Sequence, residues 1–142
     1  DLDLACSLVK RSIEQIKPDA SDVALSDLDR EPTEERNFIS TLYRKTIDLG
    51  EQHEKQIAEK AANWEADRIA ISDMILMKMA LAEVKVFDEI PTKVTMNEYI
   101  EIAKASSTPK SKAFINGILD KLFIEGKADG TIKKVGRGLL ES

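Results

Sequence analysis

Residues 71–87, ISDMILMKMALAEVKVF, carry charge only at Asp73, Lys78, Glu83 and Lys85, and nearly every other position is apolar. A segment that is apolar on all sides must be enclosed on most of its circumference. It is far longer than the usual strand of about five or six residues, and its Met, Leu, Ala, Lys and Glu favour helix. At about 1.5 Å per residue such a helix is about 25 Å long, close to one small-domain diameter. A bilayer span is disfavoured, because each central charge costs about 2.5 kcal/mol or more. The segment therefore reads as the central helix of a bundle, with the other apolar faces arranged around it.

The flanking sequence supplies those faces. Leu4, Leu8, Val9, Ile13 and Ile16 recur at three- and four-residue steps, which predicts an amphipathic helix over residues 2–16, stopped by Pro18 and Asp19. Residues 19–31 are rich in Asp and Ser and read as a loop. Pro32, followed by Glu34 and Glu35, suits the start of a helix over about 33–49, with Phe38, Leu42, Tyr43, Thr46, Ile47 and Leu49 as its core stripe. A third helix, 51–64, turns Ile57, Ala58, Ala61 and Ala62 inward, Trp64 anchors a corner of the core, and Asp67 or Ser72 caps the central helix. Pro91 forces a turn after that helix. Thr95 and Glu98 then have the spacing of a capping box at the start of the next helix, which buries Met96, Tyr99, Ile100 and Ala103. A last helix over about 112–125 presents Phe114, Ile115, Ile118, Leu119, Leu122 and Phe123. Gly117 inside it points to close approach by another backbone. Gly130, Gly136 and Gly138 suggest a loosely ordered tail beyond Gly126.

The fold expected is thus all-α, a bundle of five to seven helices. At its centre should lie Ile75, Leu76, Met79, Ala80, Val84, Ile100, Ala103, Phe114, Ile118 and Leu119. The 142 residues suffice for one core, divided here into a helical domain over 1–126 and a basic tail over 127–142. The single cysteine, Cys6, cannot form an internal disulfide, fits a reducing compartment and reads as a small buried side chain.

No chemistry-bearing motif stands out. There is no Gly-rich phosphate loop, no GxSxG elbow, no CxxC and no cluster of His with carboxylates. The sole His, His53, lies among Glu51, Gln52, Glu54 and Lys55 with no second His and no cysteine near it, so neither a metal nor a cofactor is expected. Asp27 and Asp29, or Glu34 and Glu35, are explained by solvation or capping rather than catalysis. Charge is uneven instead. Residues 104–142 hold eight Lys or Arg against four Asp or Glu, whereas residues 1–103 hold 13 against 22. A basic end on an acidic body can hold phosphates while the body repels them.

Read together, ALAEVKVFDEIPTKVTMNEYIEIAKA and KAFINGILDKL resemble the NusB family, helical RNA-binding factors of bacterial transcription antitermination. Glu83, Pro91, Val94, Asn97, Glu98, Ala103, Lys104, Phe114, Asn116, Gly117, Leu119 and Asp120 follow the family pattern in order. Phe38 with Leu42, and Trp64, Arg68 and Asp73, continue it upstream, although Lys45 stands where the family usually has glycine. The family's arginine-rich opening is absent and the chain begins at Asp1, from which we expect the carboxy-terminal part of a longer protein.

The resemblance implies a non-enzymatic factor in the bacterial cytoplasm. It would bind boxA-like RNA together with the ribosomal protein NusE, reach other Nus factors and RNA polymerase indirectly, have no membrane association, and leave a homodimer open. It implies RNA contacts at Lys104, Ser106, Lys110, Ser111 and Lys112, in the family's RNA-facing loop, and partner contacts at Asp73 and Lys78 on the central helix. Two alternatives share its outline: an RNA-binding accessory domain of an rRNA cytosine methyltransferase, and a helical domain that binds only protein.

Overall fold

The computed structural model describes residues 2–14, 32–62, 64, 69–106 and 108–140. The expected stop at Pro18 and Asp19, the loop over 19–31, and Asp67 and Arg68 lie outside the described residues. Every regular element among the described residues is helical: α1 (Leu2–Glu14), α2 (Pro32–Asp48), α3 (Gly50–Ala61), α4 (Ile71–Val86), α5 (Thr92–Ser106), α6 (Pro109–Asp129) and a 3-10 turn, Gly136–Leu139. The all-α expectation is met, and no described helix is long and apolar enough to cross a membrane. Two compact units, Asp1–Asn37 and Phe38–Ser142, divide the chain within α2.

In the first unit α1 is amphipathic, yet Val9 and Ile13 on its apolar face are exposed. Cys6 is also exposed, not buried as its residue type suggested.

The second unit is built on α4, which packs against α3, α5 and α6; α6 in turn touches α3 and α5. From Leu76 to Val84 only Lys78 and Met79 are not fully buried. Around them lie Ile57 of α3, Tyr99, Ile100 and Ala103 of α5, and Phe114, Ile115, Ile118, Leu119, Leu122 and Phe123 of α6. The expected centre is found except at Ile75, which is 49% exposed, and Met79, which sits at the core's margin. An all-round apolar helix has no polar stripe to fix its rotation, so the one outward position could not be picked. The α2 stripe is narrower than expected. Leu42 is buried and Phe38 stacks on Phe87 at 4.6 Å, but Tyr43 and Ile47 point to solvent. In α3, Ile57 and Ala61 face inward while Ala58 and Ala62 do not.

Helix ends differ from their sequence signatures. Ala70, with no side-chain bond, is the N-cap of α4, and Ser72 lies inside the first turn. Helix α5 starts a turn earlier than the Thr95–Glu98 spacing implied. The Pro91 carbonyl accepts from the amides of Val94 (3.0 Å) and Thr95 (3.2 Å), and Thr95 is buried one turn in. Proline fits this place because its missing N–H would have no partner there.

Gly117 is explained by a side chain rather than a backbone. A Cβ on it would lie 2.6 Å from Trp64 Cζ2, and that indole meets Phe114 edge-on at 5.6 Å and 86°. Gly117→Val must displace the indole. We expect a loss of about 1–3 kcal/mol from overpacking, offset in part by the better helix propensity, roughly 0.5 kcal/mol. Because Trp64 is the sole tryptophan, the displacement should appear as red-shifted emission alongside a lower Tm.

The carboxy-terminal segment is placed by specific contacts. Helix α6 continues through Gly126 to Asp129, past the expected end at 125. Ile132 then folds back into the core, its amide donating to the Gly126 carbonyl at 2.9 Å. Lys134 Nζ donates to the carbonyls of Val84 and Phe87, each at 2.9 Å, and the Phe87 carbonyl also accepts from the Ile90 amide at 3.3 Å. The Val135 amide donates to the Asp88 carbonyl at 3.1 Å. Gly138 lies so close that a Cβ would sit 2.0 Å from that same carbonyl oxygen.

Candidate nucleic-acid interface

The corner between α5 and α6 gathers the residues expected to face RNA. The corner is tighter than a loop over 106–112: Ser106 ends α5, and Pro109 already opens α6. Thr108 is the N-cap, its hydroxyl accepting from the Ser111 amide at 3.2 Å and lying 3.2 Å from the Ser111 hydroxyl. Its carbonyl accepts from the Lys112 amide at 3.2 Å. Of the first-turn amides, then, Pro109 has none and those of Ser111 and Lys112 are used within the helix. This shifts anion binding from amides toward side chains.

Those side chains are in place. Lys104, Lys110 and Lys112 are all exposed. Lys104 pairs with Glu101 on its own helix, and this contact, with Lys112 also facing it, holds the Glu101 carboxyl below its usual range. Ser106 is exposed but donates to the Ile102 carbonyl at 2.8 Å, so its hydroxyl hydrogen is spent inside α5. The corner can therefore offer three cations and the Ser111 hydroxyl to a phosphate chain.

The two residues assigned to partner contact sit differently. Asp73 is buried at 4% exposure near the start of α4. Lys78 is half-buried and forms an ion pair with Glu54 of α3. Of the two α4 residues, then, one is a buried carboxylate and the other a cation paired with α3.

Two polar clusters escaped the sequence reading. Glu83 is buried where α4 meets α5. Desolvation raises its carboxyl pKa, while the Thr95 hydroxyl, the Lys134 ammonium and, least, the Tyr99 hydroxyl draw it back. The buried Thr95 hydroxyl lies near the same carboxyl yet closes no hydrogen bond. In the other cluster His53, 0% exposed on α3, meets Lys85 of α4, Nε2 to Nζ, at 3.0 Å. Burial, reinforced by the Lys85 charge, pulls its pKa down to about 4. The spacing Gly50, His53, Ile57, Ala61 is the buried stripe of α3, so the signal was in the sequence. No group of three potential metal ligands occurs among the described residues.

The family model of the NusB family matches residues 4–123. The chain is 42% identical over 113 residues to the transcription antitermination protein NusB of Salinibacter ruber, covering 80% of this chain and 70% of that protein. It is 44% identical over 106 residues to the protein of the same name from Chloroherpeton thalassium, covering 75% of this chain and 50% of that one. With that of Natranaerobius thermophilus it shares 34% over 106 residues, or 71% of this chain and 76% of that one. No solved structure matches. The family model thus reaches from α1 into α6 of the described helices, and the chain belongs to the NusB family.

Proposed function

We propose that this protein acts in transcription antitermination in the bacterial cytoplasm, as a non-catalytic factor that binds boxA-like RNA together with the ribosomal protein NusE. Other Nus factors and RNA polymerase are reached through that complex. The observation that supports it most directly is the exposed trio Lys104, Lys110 and Lys112 at the α5–α6 corner of a chain whose relatives are named antitermination proteins. Lysines hold phosphates as point charges, and no aromatic side chain lies between residues 104 and 112 to stack a base. Attraction here should therefore depend on the RNA backbone more than on its sequence.

The double variant Lys110→Glu, Lys112→Glu should weaken RNA binding about uniformly across sequences and lower the salt slope by about two phosphate contacts. Titrations of boxA-like and scrambled RNA at two salt concentrations, with and without NusE, provide the measurement. Superimposable curves for parent and variant would remove the corner from the interface.

Asp73 and Lys78 are proposed as the contact for NusE. Burial of Asp73 means that Asp73→Lys forces a cation into a desolvated site, so both Tm and NusE affinity should fall. Asp73→Asn keeps the size, and its affinity for NusE at a temperature where it is fully folded isolates the contact. Parent-like affinity in Asp73→Asn would exclude a role for the carboxylate charge.

A further inference from the structure

The α5–α6 corner has no aromatic side chain of its own, but one reaches α6 from α3. Just past the end of α3 the Trp64 amide donates to the Ala61 carbonyl at 2.9 Å, and the indole lies over α6. Its benzo ring occupies the space that a Cβ on Gly117 would take, Phe114 meets it edge-on, and the residue still keeps 37% of its surface exposed. Lys110, Ala113, Gly117 and Lys121 recur at three- and four-residue steps, so they share one face of α6. At about 1.5 Å per residue, Lys110 stands about 10 Å before the seat of the indole along the helix axis and Lys121 about 6 Å after it. Both lysines are exposed, and neither forms an ion pair with a described residue. Ala113, exposed between Lys110 and the ring, is too small to obstruct the path. Of the nearby carboxylates, Glu125 is held by Lys60 of α3, and Asp120 projects from the neighbouring side of α6.

We propose that the exposed side of Trp64 is the base-stacking platform of the RNA interface, with the phosphates of a single strand held on either side of it by Lys110 and Lys121. This rests on RNA being the ligand of the α5–α6 corner. An aromatic face takes a base while cations beside it hold the backbone on which that base hangs, and the two together are how single strands are bound. Gly117 belongs to the platform, since a side chain there would push the ring off the helix. Every base has a π-face, so the stacking adds affinity without choosing a sequence. It also needs an unstacked base, so the ligand is single-stranded RNA and not a duplex.

Trp64 is the sole tryptophan, so its own emission reports the contact. The whole chain is titrated at low salt with boxA-like single-stranded RNA, followed by the anisotropy of labelled RNA and, separately, by tryptophan emission with unlabelled RNA. Quenching of Trp64 should track binding. Abasic sites placed one at a time along the RNA should relieve the quenching at one position and lower affinity there by about 5- to 150-fold, the range that stacking of one base covers. Lys121→Glu should lower the salt slope by about one phosphate contact, while Lys133→Glu, beyond the end of α6, should leave it unchanged. A rise in anisotropy with unchanged Trp64 emission would overturn this proposal and leave RNA binding at the corner intact. Quenching that no abasic site relieves, or equal salt slopes in the two lysine variants, would do the same. No change in anisotropy would overturn RNA as the ligand of the corner, and the platform with it.

Discussion

Ile118→Ala is expected to lower the unfolding free energy by about 2–5 kcal/mol, the cost of truncating a large aliphatic side chain where the surroundings cannot collapse. Ile118 and Leu119 are both 0% exposed on α6, the helix that touches α3, α4 and α5 at once. A cavity there has walls from several helices, and no single one can move to fill it. Leu119→Ala should cost a similar amount. Ile124, 61% exposed on the same helix, serves as the control, and its replacement by Ala should stay within about 0.5 kcal/mol. Denaturant midpoints at constant m-value give the comparison. Equal midpoints for Ile118→Ala and Ile124→Ala would refute the placement of the core.

Acid should weaken the fold through His53. Its pKa falls from 6.5 to about 4 on folding because the ring is desolvated and Lys85 faces it. Above pH 6.5 the imidazole is neutral in both folded and unfolded chains and stability does not depend on it. Between pH 6.5 and 4 the unfolded chain takes up a proton that the folded one refuses, so stability declines as pH falls, by about 3 kcal/mol at most. Below pH 4 both states are protonated and this loss stops growing. Glu83 acts in the opposite sense. Its raised pKa means that the folded chain accepts a proton earlier than the unfolded one, which relieves a buried charge as the pH drops. The measurement is therefore a difference. His53→Gln, which keeps an acceptor for Lys85, should lose less stability than the parent between pH 7 and 4.5. Parallel pH profiles for the two would show that His53 is not the responsible group.

What could be read from the sequence followed from how locally each feature is encoded. The central helix was legible because seventeen residues with only four charges leave few structural options, and the family pattern because its residues keep one spacing from Glu83 to Asp120. The rotation of α4 was not legible, since Ile75 and Met77 are equally apolar while only Met77 is fully buried. The Thr95 capping box failed because Pro91 offers an equally good helix start one turn earlier. His53 was set aside because no second His and no cysteine lies near it in sequence, although its neighbours along the helix face, Gly50 and Ile57, are buried. At the α5–α6 corner the lysines were legible and the helical turn that carries them was not, since Thr108 caps a helix that opens on Pro109, three residues before the expected start.

The contacts of Lys134 also bear on the order in which the chain can assemble. Helix α4 and the turn after it are finished by a side chain 50 residues downstream of Val84, and the Asp88 carbonyl by the Val135 amide. During synthesis the helices of the bundle emerge first, and the Val84 and Asp88 carbonyls lack these donors until residues 134 and 135 have left the ribosome. Closing so long a loop carries an entropic cost that grows only slowly with its length, so the contact can form late without a large penalty. Nascent chains extended only to residue 129 would hold α3 to α6 with the α4–α5 turn still unclosed, and the emergence of Lys134 and Val135 supplies its missing donors.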